Sequence, residues 1–322
     1  MQIFISKNII MKNIYLLLFV IISYSLTAQS VEKTELRSEI LNGKIKIITQ
    51  IEFNKFHKLN KFNKLNKGID TMFYFFNELG LLVEAKEFKE KTIYTYNSDN
   101  QIIISNTYHL RFEGIKARSN EYIYENGNLI KHILKYPPSN SHVTNYFDYF
   151  ITHYDYDTNG KIIEDRKFSK HRNYEEESFY HHYKYQYDTL GNCIIKERLD
   201  KNGDVKQINE NKYLNNKLIE TFIWQEFEDE NSYSKNIYVY DENENLDYCI
   251  GIGYMYGSTT NIANKHITNY FYDDKQRLIK IEESYRATYY QDFDTKDNWQ
   301  KKIIDEKDKQ RIILRKFEYY DE

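Results

Sequence analysis

One pattern, repeated along almost the whole chain, limits what this sequence can fold into. Two aromatic residues one position apart are followed by a turn rich in Asp, Asn and Gly, and then by aliphatic residues. Tyr154-Asp-Tyr156-Asp-Thr-Asn-Gly160-Lys-Ile162-Ile163 shows it fully. The units around Phe76, Tyr96, Tyr187, Tyr240 and Tyr272 have the same length, with Gly80, Asn100, Gly191, Glu244 and Gln276 in the place of Gly160. Two more, Tyr122-Ile-Tyr124-Glu-Asn-Gly127-Asn-Leu129 and Tyr213-Leu-Asn-Asn216-Lys-Leu218, have turns one residue shorter. The second aromatic positions recur at intervals of 20 to 32 residues, room for two strands of about ten residues each. A unit repeated at such a period signals an array whose members lean on their neighbours.

Turn chemistry accounts for both lengths. In the longer form Asp157 opens a type I turn and Gly160 takes the left-handed position of a bulged hairpin. In the shorter form Asn126-Gly127 suits a two-residue type I′ turn. Either loop sets an aromatic opposite an aliphatic residue: Phe76–Leu82, Tyr96–Ile102, Tyr124–Leu129, Tyr156–Ile162, Tyr187–Cys193, Tyr213–Leu218, Tyr240–Leu246 and Tyr272–Leu278. Glu244 and Gln276 carry ordinary side chains where a left-handed residue is required, so their turns are expected to be strained or remodelled. Upstream, Leu41-Asn42-Gly43-Lys44 reads as a two-residue turn pairing Ile40 with Ile45, with Ile45, Ile47 and Thr49 alternating along the next strand. Ile304–Asp308 reads as a degraded late unit, and Phe317–Glu322 as the opening of one more. The expected fold is all-β: an antiparallel meander of nine or ten hairpins forming one long twisted or rolled sheet, in a single domain over 29–322.

The motif Tyr-x-Tyr-Asp-x-x-Gly-x-Leu/Ile resembles the YD repeat of Rhs-type proteins, and Leu41-Asn-Gly-Lys-Ile-Lys-Ile-Ile48 resembles the first strand pair of small secreted YD-repeat proteins. The resemblance spans roughly 36–322. It implies an architecture of stacked hairpins. By association it suggests an accessory or immunity protein of an Rhs-type toxin system.

Residues 1–28 read as a signal peptide. Lys12 precedes an unbroken apolar run from Ile14 to Ile22, too short to span a bilayer, and small and polar residues lead to Ala28. Met11 is an alternative start. The chain is therefore expected to be exported to the periplasm, cell surface or medium, with no transmembrane segment after cleavage. Cys193 and Cys249 could bridge in that compartment; Cys193 occupies an aliphatic slot of the repeat, which favours two core thiols. Residues 54–68 form a Lys/Asn triplet tract with Lys at 55, 58, 61, 64 and 67. Its period of three fits neither helix nor strand, so a mobile hairpin loop is expected.

Composition narrows function by exclusion. The 32 Tyr and 19 Phe argue against a disordered polar chain, and 2 Pro and 11 Gly against a collagen-like one. A net charge of −3 does not mark a nucleic-acid binder. Gly251-Ile-Gly253-Tyr-Met-Tyr-Gly257 lacks the spacing of a dinucleotide loop. His181 and His182 point to opposite faces of a strand and cannot hold one ion. His153 and Asp155 read as an exposed pair. No catalytic motif stands out, and no cofactor or metal is expected. The tyrosines offer either a stacking platform or a buried core with hydroxyls at its rim; the core reading is the simpler one. The functional expectation is a non-catalytic binding or scaffold module of the envelope or extracellular space, with a glycan or a protein as partner.

Overall fold

The computed structural model describes residues 41–56, 70–111, 115–137, 147–227, 230–255, 257–307 and 309–320. Residues 1–28, read above as a signal peptide, Ile40 and residues 57–68 of the Lys/Asn tract lie outside them. Asn42–Glu322 form one compact unit. Its strands are β1 (Ile45–Phe56), β2 (Asp70–Phe76), β3 (Leu82–Glu87), β4 (Glu90–Tyr96), β5 (Ile102–His109), β6 (Lys116–Glu125) and β7 (Asn128–Lys135). They continue with β8 (Phe147–Tyr156), β9 (Ile162–His171), β10 (Glu177–Tyr187), β11 (Cys193–Leu199), β12 (Val205–Leu214) and β13 (Lys217–Phe227). The last are β14 (Glu230–Tyr240), β15 (Leu246–Tyr254), β16 (Ile262–Tyr272), β17 (Leu278–Glu282), β18 (Arg286–Phe293), β19 (Trp299–Glu306) and β20 (Lys309–Tyr319).

Each strand pairs antiparallel with the next, and β1 also pairs with β20, so the 20-stranded sheet closes into a barrel. The meander expected from the repeats is therefore closed rather than an open sheet. Asn54–Phe56, expected in the loop, belong to β1 and pair with Arg311–Lys309, because strand pairing continues to the base of the tract.

The repeat turns all lie at one rim. Gly160 has φ +76 and donates its N–H to the Asp157 carbonyl at 3.1 Å. The Asp157 carboxylate accepts from the backbone N–H groups of Lys161 (2.8 Å) and Asn159 (2.9 Å), which hold it below the usual carboxylate range. Glu244 (φ +71) and Gln276 (φ +63) keep this same turn, carrying left-handed strain without remodelling. At all eight units the aromatic faces the aliphatic residue, Tyr156 opposite Ile162 and Tyr124 opposite Leu129 among them.

Beside each of these pairs the register slips by one residue, a β-bulge on the returning strand. The second aliphatic of doublets such as Ile162-Ile163 is the extra residue. Beyond it, the side chains that face inward shift by one position. In β1 the inward residues are thus Ile45, Ile48 (0% exposed) and Gln50, while Ile47 and Thr49 face outward.

Three readings of the ends are corrected. Ile45 pairs with Tyr319. Gly43 (φ +84) packs against the Tyr319 ring, and the Tyr320 N–H donates to the Lys44 carbonyl at 2.9 Å, as Asp157 does to Lys161. The opening motif and the closing one are thus the two halves of one unit, split between the chain ends, and their union closes the barrel. Ile304–Asp308 is no repeat: Glu306 faces Lys309 across a two-residue connection at the opposite rim. The unit missing from the sequence reading is Phe293-Asp294…Asp297-Asn298-Trp299, with Phe293 opposite Trp299 and Asp297 at φ +64. Asp292, inserted with φ +52, breaks its aromatic spacing.

Hydroxyls join the units. Tyr96 donates to the Leu82 carbonyl (2.7 Å), Tyr156 to Leu129 (2.8 Å), Tyr187 to Ile162 (2.7 Å), Tyr213 to Cys193 (3.2 Å), Tyr240 to Leu218 (2.9 Å) and Tyr272 to Leu246 (3.2 Å). Each acceptor is the aliphatic position of the preceding unit. Tyr320 donates to the Phe76 carbonyl at 2.7 Å and spans the seam. Burial is densest inside β1–β7 and β20, where Ser105, Thr107, Asn120 and Ile313 are inaccessible.

Candidate functional site

The repeat positions do not converge on a site. Gly80, Asn100, Gly127, Gly160, Gly191 and Asn216 all have positive φ and stand side by side around one rim. Phe76, Tyr96, Tyr124, Tyr156, Tyr187, Tyr213, Tyr240 and Tyr272 line the inner wall just beneath. The partners one position pair earlier, Tyr74, Tyr94, Tyr122 and Tyr154, are at most 9% exposed, so their ring faces are covered by protein. Among the described residues no set of three or more His, Cys, Asp or Glu is placed to hold a metal ion. Cys193 on β11 and Cys249 on β15 are free thiols with three strands between them, and burial raises the pKa of both. His181 and His182 do point apart, the first 3.3 Å from Asp165 inside, the second 2.6 Å from Glu164 outside. Asp155 forms a 2.7 Å ion pair with Arg166.

Ionisable chemistry gathers instead on the inner wall of β7–β11. The bulge at Ile163 turns Asp165 and Lys167 inward. Asp165 is 8% exposed; its Oδ2 accepts from the Tyr185 hydroxyl at 2.5 Å and its Oδ1 faces His181 Nε2. Burial first, then the Asp165 charge, pushes the Tyr185 and Tyr154 phenols far up, so both remain protonated donors. Beside them His132 donates from Nε2 to Asn120 Oδ1 at 2.9 Å, and Asn120 Nδ2 donates to Ser105 at 3.0 Å. Burial, with Lys167 nearby, lowers the His132 pKa to about 4, so this imidazole is neutral.

Toward the rim opposite the repeat turns the wall becomes aromatic and accessible. Lys167 Nζ sits 4.8 Å from the Phe150 ring centre and 4.9 Å from that of Tyr180; the two rings meet edge to face at 5.4 Å. Tyr180, the bulged residue of β10, is 56% exposed. On β11, Lys196 Nζ lies 4.2 Å from the Tyr183 ring and 5.3 Å from that of Tyr185. Arg198 stands opposite Tyr183 in the register.

Both oxygens of Asp165 are engaged, one by the Tyr185 hydroxyl and the other by His181 Nε2. The buried phenols are donors, not nucleophiles. Of these residues the sequence draws attention only to His181 and, within the repeat pattern, Tyr154 and Tyr185; Asp165, Lys167, Tyr180, Lys196 and Arg198 pass unnoticed because a one-residue bulge decides which side of the sheet they occupy.

No family model matches the chain, and no curated protein matches it. Two solved structures are similar at low identity. One is a chain of the TcdB2-TccC3-Cdc42 complex: 13% identity over 79% of this chain and 15% of that one, TM-score 0.43. The other is a porin-like protein from Bacteroides uniformis: 9% identity over 86% of this chain and 99% of that one, TM-score 0.35. The present chain therefore spans only about a seventh of the first neighbour's length.

Proposed function

We propose that the protein is an exported, non-catalytic binding module whose ligand, a glycan or a partner protein, lies against the inner wall of β7–β11. The observation that carries this reading is the accessible Tyr180 ring, braced by Phe150 and Lys167 at the rim of a wall whose one buried carboxylate is fully engaged. An exposed ring braced edge to face beside charged donors is what sugars and protein side chains stack on. Export rests on the Lys12, Ile14–Ile22, Ala28 arrangement. Two measurements test the reading. N-terminal sequencing of the protein from an envelope or medium fraction should begin after Ala28; recovery of intact residues 11–28 from a cytoplasmic fraction refutes export. A glycan array, with a pull-down from envelope extract, should give a ligand that Y180A no longer holds. Equal capture by Y180A shows that the ligand lies elsewhere.

A further inference from the structure

The inner wall of β9–β11 has a charge imbalance that its packing does not resolve. Lys167 on β9 and Lys196 and Arg198 on β11 face inward on either side of β10, together with the single carboxylate of Asp165, whose oxygens are already taken by Tyr185 and His181. None of the three bases has a carboxylate within ion-pair distance among the described residues. Half-buried cations without counterions are costly. Ring faces relieve this for Lys167 and Lys196. Among the described residues Arg198 has neither a ring within cation–π distance nor an acid within ion-pair distance. Several other bases of the inner face are answered: Arg118 by Glu90 at 3.1 Å, Arg311 by Glu52 at 3.3 Å, and Arg315 by Gln50 and the Trp299 ring.

We infer that the ligand of this wall is an acidic polysaccharide, a sugar chain bearing carboxylates or sulfates. This rests on the binding-module reading and deepens it. Arg198 offers a planar fork for a carboxylate or sulfate, and Lys196 a point charge next to it. Lys167 lies two strands away, about 10 Å at the usual strand spacing, roughly the repeat of a disaccharide. Tyr180 at the rim stacks a neutral ring face between the acid groups. A run of ring, cation, ring, cation along the wall suits a polymer whose charges recur, better than a single small anion.

The test uses the mature chain and calorimetric titration with oligogalacturonate, heparin oligosaccharide, dextran of similar length, and a single-stranded oligonucleotide. Oligogalacturonate or heparin should bind, with affinity falling as salt rises, and dextran should not; which acidic probe is tighter separates carboxylate from sulfate. R198Q with K196Q should weaken binding at least tenfold. K131Q, on the outer face of β7, should leave it unchanged, and R198Q alone, which breaks no ion pair among the described residues, should weaken binding in the same direction with the melting temperature unchanged. Dextran bound as tightly as the acidic probes, with Y180A abolishing it, overturns the acid assignment and leaves the binding-module reading standing. Tighter binding of the oligonucleotide, or undiminished affinity in R198Q/K196Q, also overturns it. Binding of no carbohydrate at all overturns the acidic-polysaccharide assignment, and the pull-down then decides whether a protein partner takes this wall or the binding-module reading falls as well.

Discussion

At the residue scale, the left-handed turn slot decides which side chains the repeat tolerates. Gly160 adopts φ +76 with only the Asn128 side chain within 4 Å of where a Cβ would stand. Replacing Gly160 by Val therefore introduces backbone strain rather than a clash, and should cost roughly 1–3 kcal/mol in urea unfolding. The converse holds at Glu244, which sits at φ +71 with an exposed side chain. Glu244→Gly removes the Cβ penalty and should raise stability by about 1 kcal/mol. His132 is a second residue-scale determinant. Its folded pKa of about 4 lies below its unfolded value of 6.5. Below pH 6.5 the unfolded chain takes up a proton that the folded one refuses, so this stability is complete above pH 6.5 and is lost as pH falls toward 4. The loss is at most roughly 3 kcal/mol. His132→Gln should flatten the dependence of melting temperature on pH between 4 and 6.5; an unchanged slope would show that other groups set it.

At the element scale, the unit of construction is a bulged hairpin pinned to its predecessor by one hydroxyl. This explains why the second aromatic is Tyr at most turns: Phe would fill the same space without the bond. Tyr156→Phe should cost about 1 kcal/mol, the usual net worth of one hydrogen bond, with the Leu129 carbonyl left unanswered. The bulge matters in a different way. Deleting Ile163 would restore simple alternation in β9 and turn Asp165 and Lys167 outward. The Asp165–Tyr185 bond would be lost, and destabilisation should exceed that of Tyr156→Phe. Equal effects would mean that the inner network contributes little.

At the scale of the molecule, closure depends on contacts between residues more than 240 apart in sequence. The Asn298 side chain accepts from the Asn42 N–H and donates to the Asn42 carbonyl and the Tyr319 hydroxyl, and Tyr319 also reaches Asp294. With Tyr320 on Phe76, these bonds seal the split unit. Removing β20 (residues 309–322) should expose β1 and β19 as free edges, which pair with other chains. Light scattering on that truncated chain should detect oligomers; a monomer with unchanged unfolding would show that the seam is dispensable.

What lay in the sequence was whatever a stretch of about ten residues settles locally. Asp157 and Gly160 specify a turn, and the turn specifies that Tyr156 meets Ile162, whatever the rest of the chain does. The same local signals name the strands and their antiparallel order. The bulge was only latent in the aliphatic doublets, and the unit at Phe293 was hidden because Asp292 interrupts its spacing. Closure was beyond local reading: Gly43 and Tyr319 each looked like the end of something, and only the sheet's accumulated twist and stagger bring them together. The inner wall was beyond it too. Asp165, Lys167, Tyr180, Lys196 and Arg198 belong to three strands, and each faces inward because of a register slip. A charge cluster of this kind exists only once the whole sheet has formed.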